Sequence, residues 1–352
     1  MKCETLHRNL TRVLQRRLPA VSKPQVRNLA LFTQALACSA DCHLANLALA
    51  LPIPGYRDSL IQRLRRFLAN PHITRTRHYM PLVQTLFAHW PDREVNLVMD
   101  RTDLGHEQSI LLLAAAFRHR AIPLTWRVLP FGGTGETLHC TLLREIQPYL
   151  PPAARIVFLG DSEFRAVGLQ QYCRTQHWHW HLGVKSDTLF QGAGQPWQPL
   201  RTLRVARGER RYVHDVTLTR RHAFPDVHLM IDWTHDGDAP RYFVCDLPTN
   251  GRSWRRGRKR FWIEPTFRDW KSYGFDLETS HIDQAARLNR LLIVMSLATL
   301  WLLHLGDWVT VSGRRKLLEA PHRRDYSYFR LGRDYIQRAQ TQVWPIPICL
   351  HR

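Results

Sequence analysis

The chain is short of acids: its 352 residues carry 29 Asp and Glu against 50 Lys and Arg, a formal net charge of +21. A surface that basic calls for an anionic partner, nucleic acid or acidic lipid. Cysteine is also scarce. The seven cysteines are odd in number and scattered (Cys3, Cys38, Cys42, Cys140, Cys173, Cys245, Cys349), which argues against a disulfide framework and fits reduced thiols in a cytoplasm. Cys38 and Cys42 are near neighbours beside His43, but no second ligand pair follows at finger-like spacing, and their flanks read as helix core rather than zinc site. The longest apolar run, Leu291 to Leu303, ends at His304, short of the roughly 20 residues a membrane span needs, and is expected to be a core helix. The opening Met1-Lys-Cys-Glu-Thr-Leu-His-Arg has no apolar signal segment, so export is not expected. No repeat is present.

What is there changes texture along the chain. Residues 1–92 read as a helical, basic N-terminal domain, with apolar periodicity from Val26 to Leu36 and from Ser59 to Leu68, separated by Pro52, Pro54 and Gly55. Arg63, Arg65 and Arg66 crowd the polar side of the second pattern, a face that suits a DNA backbone or simply solvent. Residues 93–186 read as the first part of an α/β core. Strand runs at Val95–Met99, Ser109–Phe117 and Ile122–Leu129 suggest a meander, followed by a helix over Glu136–Tyr149, a strand over Arg155–Leu159, a helix near Phe164–Thr175 and a strand over His179–Val184. Residues 187–250 read as a β-rich insertion, 251–312 as the second part of the core, and 313–352 as a basic tail without a motif.

Three acids carry the chemistry. Asp100 follows the apolar run Val95–Met99 and Asp161 follows Ile156–Leu159, so each stands where a buried strand surfaces. With Glu264 they form an oxygen donor set suited to two magnesium or manganese ions, held roughly 3.5 to 4 Å apart in a two-metal phosphoryl-transfer site. Asp103 and Glu163 lie nearby but end their strands less directly. Ahead of Glu264 runs Arg252-Ser-Trp-Arg-Arg-Gly-Arg-Lys-Arg260, either a solubilising loop or a phosphate track with Trp254 as a stacking platform. His177-Trp-His-Trp-His181 alternates imidazoles and indoles, which favours a packed strand with polar edge histidines over a metal site.

The blocks Asp100-Arg-Thr-Asp, Gly160-Asp161-Ser-Glu-Phe-Arg and Arg260-Phe-Trp-Ile-Glu264-Pro-Thr-Phe-Arg-Asp-Trp-Lys271 resemble those of the DDE insertion-sequence transposases of the cut-and-paste group with the Tyr-Arg-Glu-Lys signature. The resemblance spans roughly residues 93 to 305 and implies an RNase H-like mixed-sheet catalytic core interrupted by the β-rich insertion. It implies Asp100, Asp161 and Glu264 as ligands of Mg2+ or Mn2+, two ions per site. Arg260 and Lys271 are implied as phosphate contacts. It also implies double-stranded DNA partners (terminal inverted repeats and target), a homodimer holding two ends, and a bacterial, nucleoid-associated location. The seven-residue step from Glu264 to Lys271 is about two helical turns, placing both on one helix face. Two positions depart from the pattern. Gly257 stands where the signature has tyrosine, so Arg256, Arg258 or Lys259 is expected to supply the missing phosphate contact. Pro265 directly follows the glutamate, so the helix is expected to start near Glu264. Those departures motivate an alternative, a catalytically inactive DNA-binding relative; a metal-dependent nuclease without strand transfer is another.

Overall fold

The computed structural model describes residues 2–39, 41–90, 93–348 and 350. Residues 1, 92 and 352, which bound segments drawn above, and Cys349 lie outside the described residues.

Six helices precede the first strand: α1 (Cys3–Arg17), α2 (Lys23–Ser39), α3 (Leu44–Leu49), α4 (Arg57–Ala69), α5 (Arg75–His78) and α6 (Met80–Ala88). The apolar spacing explains their packing. Leu6, Leu10 and Leu14 recur every fourth residue on α1 and are fully buried, as are Leu60, Leu64, Phe67 and Leu68 on α4 in near-complete measure. These helices share one contiguous apolar core with the rest of the chain, chiefly by packing on α11 (Ala285–Val311).

The strands β1 (Glu94–Leu104), β2 (Gln108–Phe117), β3 (Arg120–Pro130), β4 (Arg155–Gly160) and β5 (His179–Val184) fall where the sequence placed them. The first three form the expected antiparallel meander. Helix α7 (Glu136–Ile146) leads into β4, which pairs parallel with β1, and α8 (Val167–Thr175) leads into β5, parallel with β4. In the β1–β4 register Val98 stands opposite Leu159. Two residues on from each stand Asp100 and Asp161, so strand pairing alone delivers both aspartates to the same sheet edge.

The β-rich segment does not form a layer of its own. Its strands β6 (Leu189–Gln191), β7 (Gln198–Pro199), β8 (Arg210–Leu218), β9 (Phe224–Asp232) and β10 (Arg241–Cys245) extend the same sheet, giving one ten-stranded mixed sheet in the order β3-β2-β1-β4-β5-β10-β9-β8-β6-β7. The junction is the antiparallel pairing of β10 on β5. Beyond it come α9 (Gly251–Gly257), a 3-10 segment (Arg258–Trp262), α10 (Ile263–Arg268) and a π-helical turn (Asp269–Tyr273).

Helix α11 is apolar on every side because it is covered on every side. It is long and apolar enough to cross a membrane, yet 89% of its most apolar stretch is buried. The basic tail then folds back as α12 (Tyr328–Thr341) along α11. Two glycines permit that approach: a Cβ on Gly306 would stand 1.8 Å from the Tyr328 carbonyl oxygen, and one on Gly332 2.1 Å from that of Leu302.

Candidate active site

Asp100, on β1, is largely buried, and its Oδ1 accepts the Arg101 N–H at 2.8 Å. Burial, and then the neighbouring carboxylates of Asp161 and Glu264, push its pKa from the ordinary 3.8 up to about 7, against the lowering pull of that N–H and of the Arg260 guanidinium. Asp161 caps the turn that follows β4, its Oδ1 accepting the Glu163 N–H at 2.8 Å. Glu264 is half exposed in the first turn of α10. Pro265 occupies the third position of that helix, where no intrahelical N–H is required of it, as the sequence suggested.

Arg260 spans two of the acids. Its Nη1 lies 3.7 Å from Asp100 Oδ2, and its Nη2 donates to Glu264 Oε1 at 3.0 Å. The donor set is all carboxylate oxygen, which fits magnesium or manganese, and a half-ionised buried acid among like charges is a site short of positive charge. Among the described residues, no three His, Cys, Asp or Glu stand close enough together to hold a metal ion. The Arg260 guanidinium supplies positive charge between Asp100 and Glu264.

The nearby acids have other partners. Asp103 accepts from Ser109 Oγ at 2.7 Å and faces Arg101 at 3.3 Å, while Glu163 faces Arg101 at 3.4 Å and accepts the Thr134 N–H at 3.2 Å.

The cations of the predicted phosphate track divide into two groups. Arg256 and Lys259 are drawn onto Glu94, at 3.2 and 3.8 Å. Trp254 carries the guanidiniums of Arg210 and Arg258 over its ring, at 3.7 and 4.9 Å from the ring centre. Arg258 and Trp254 nonetheless line a cleft of about 1010 Å³ that also takes in Glu264, Lys259, Arg241 and Phe261. Sequence reasoning missed Arg241 and Phe261, because Arg241 reaches the cleft only once β10 docks beside β5. A second cleft, lined by Asp161, Arg241, Arg260 and Phe261, continues from it.

The reading of Lys271 needs correction. The π-helical turn interrupts the helix after Arg268, so the seven-residue step no longer measures two regular turns, and Lys271 Nζ lies 3.1 Å from Glu278 Oε1. Gly257 has a local cause. A Cβ there would stand 2.3 Å from His181 Nε2, so no larger residue fits, tyrosine included, while His181 stays where it is. His181 is buried and its Nδ1 contacts Cys245 Sγ at 3.1 Å; burial lowers its pKa to about 4 and raises that of the thiol, so a neutral ring meets a neutral thiol and the ring's tautomer decides which donates. His179 instead pairs with Asp246 at 2.5 Å and Trp178 and Trp180 are buried; only His179 to His181 of the motif lie in β5, since His177 sits in the preceding turn with φ 56°. Cys42 and Cys38 likewise have separate partners, the Asp276 carbonyl and the Gln340 amide.

Comparison with curated proteins finds no match. Among solved structures, the chain is similar to a piggyBac transposase in a cryo-EM synaptic complex with hairpin DNA, at 10% identity and a TM-score of 0.42, over 97% of this chain and 83% of that one. Residues 133–301 match the family model described as the transposase DDE domain, a span that includes Asp161 and Glu264 and begins after Asp100. That span is just under half of the chain.

Proposed function

We propose that this chain is a DNA transposase that binds the ends of its element, cuts them and joins them to target DNA, with Asp100, Asp161 and Glu264 as its catalytic acids. The observation that carries the reading is the placement of the acids: the parallel pairing of β1 with β4 sets Asp100 and Asp161 two residues beyond the Val98–Leu159 pair, and Arg260 links Asp100 to Glu264. An antiparallel meander followed by two parallel strands reached through helices supports an RNase H-like reading of β1 to β5.

Divalent cations held by the three carboxylates would activate a water or 3′-hydroxyl and stabilise the leaving oxygen. The chain's own part is to present those carboxylates ionised, which for Asp100 requires positive charge nearby. Arg260 provides it, and a scissile phosphate entering the cleft offers the guanidinium a third anionic partner beside Asp100 and Glu264. Arg241 and Arg258 line the adjoining cleft and suit the DNA backbone, while Arg256 and Lys259 share Glu94. Gly257 and Pro265, the positions behind the inactive-relative alternative, have a packing and a helix-start explanation respectively, and turnover separates the two readings. The basic N-terminal helices as a DNA-binding domain, the homodimer and the bacterial cytoplasmic location belong to the same proposal.

The test is cleavage and joining of labelled terminal-repeat DNA in magnesium or manganese, comparing wild type with Glu264→Gln. Metal-dependent nicks and joined products that vanish in the variant support the transposase. Nicks without joining support a nuclease, and tight binding without cleavage by either protein overturns the catalytic reading.

A further inference from the structure

The tail that the sequence left without a role completes a second cationic pocket behind the Glu264 helix. A cavity of about 290 Å³ is lined by Arg120 of β3, Arg268 of α10, and Arg330 and Arg333 of α12, with Asp269 and Asp325 as its acids. Pro265 lines this cavity, whereas its neighbour Glu264 lines the large cleft. The two sites therefore open on either side of one helical turn.

The charges in the pocket do not cancel. Asp269 is held by Arg120 at 2.5 Å. Arg330 and Arg333 both turn toward Asp334, at 3.2 and 3.5 Å, so one carboxylate serves two guanidiniums. Arg333 Nη1 donates to the Tyr273 carbonyl at 2.9 Å, and its buried Nε has Asp334 Oδ1 at 3.5 Å as its ion-pair partner. Arg268 is exposed at the rim, and Tyr273 beside it is 73% exposed. Like charges gathered this closely cost free energy unless an anion joins them.

The gathering is built rather than incidental. Ser327 caps α12 by accepting the Arg330 N–H at 3.1 Å. Glu319, buried, accepts the Tyr326 N–H at 2.9 Å and Arg315 Nε at 2.6 Å, fixing the approach to that cap. The backbone contacts at Gly306 and Gly332 hold α12 against α11. Residues more than sixty positions apart thus meet at one cavity.

We propose that Arg268, Arg330 and Arg333 form a binding site for a DNA backbone phosphate, by which the C-terminal tail grips the duplex beyond the active-site cleft. The proposal rests on the transposase reading above. Each phosphate neutralised on duplex DNA steepens the dependence of log affinity on log salt by about 0.9, so the site has a countable signature.

The experiment measures fluorescence anisotropy of labelled terminal-repeat duplex with full-length protein over a range of potassium chloride concentrations. It compares wild type, Arg268→Ala and Arg330→Gln, with thermal unfolding confirming that each variant is folded. The expected result is a slope shallower by about 1 for each variant and about five- to tenfold weaker binding near physiological salt. A methylphosphonate placed at the contacted phosphate should weaken wild type but not Arg268→Ala further. Unchanged slopes in folded variants overturn the site while leaving the transposase reading intact. Titration with inorganic phosphate separates the remaining source: binding of free phosphate with unchanged DNA slopes makes this a small-anion pocket and overturns the DNA grip. Failure of wild type to bind duplex at all overturns both.

Discussion

Replacing Asp100 by asparagine should make this protein more stable, by a margin that grows as pH rises toward neutrality. The carboxyl titrates near 7 in the folded chain and at an ordinary 3.8 in the unfolded one, so protons favour the fold. Below 3.8 both states hold the proton and the site costs nothing. As pH rises from 3.8 to 7 the unfolded chain gains ionisation that the folded chain resists, and above 7 the full penalty stands. At 1.36 kcal/mol for each tenfold in proton affinity, the displacement amounts to about 4 kcal/mol. Arg260 would lose a partner and the site would relax, so a gain of about 2 kcal/mol is expected for Asp100→Asn at about pH 8 and clearly less at about pH 5. Urea unfolding at both pH values measures it through the midpoint at constant slope. Magnesium should stabilise wild type at about pH 8 and leave the variant unmoved. A variant less stable than wild type at the higher pH, or a gain independent of pH, would refute the electrostatic account of this site.

Three further outcomes follow from contacts at the same edge. Arg260→Ala removes the charge that lowers the Asp100 pKa, so its acid limb of cleavage against pH should move upward, with a loss of about tenfold or more near pH 7 that narrows toward pH 9. Glu94→Gln frees Arg256 and Lys259, and should tighten duplex binding and steepen its salt dependence by about 1 in slope, read by anisotropy. Gly257→Ala forces a Cβ onto His181 and should cost about 1 to 3 kcal/mol in denaturant unfolding; full wild-type stability would contradict the packing described.

Much of this arrangement was legible because it is local. Runs of apolar residues mark β1 and β4, and an aspartate directly after each run, Asp100 within β1 and Asp161 just past β4, could be named before the register was known. Pro265 similarly located the start of α10 from backbone chemistry alone. Long-range pairing was not legible. Nothing in Arg241 says that β10 will dock on β5 and carry it to the cleft, and nothing in Arg256 or Lys259 names Glu94, more than 150 residues earlier, as their partner. The π-helical turn was hidden too, because Asp269 to Tyr273 has ordinary helical composition, and the ion pair between Arg120 and Asp269 that lies beside it is tertiary. The tail's role depends on glycines whose spacing has meaning only when two helices touch.

The contact between Gly257 and His181 bears on history as well as structure. With 2.3 Å between a Cβ at 257 and the imidazole nitrogen, the two positions are not free to change in either order. A tyrosine at 257 requires a smaller residue at 181 first, which would leave Cys245 without its ring partner and open a void against Phe243. The reverse order meets a clash at once. Such sign-dependent coupling makes the glycine self-preserving: once the histidine has filled the space, each residue removes the other's alternatives. The pair can then outlast whatever selection first favoured it.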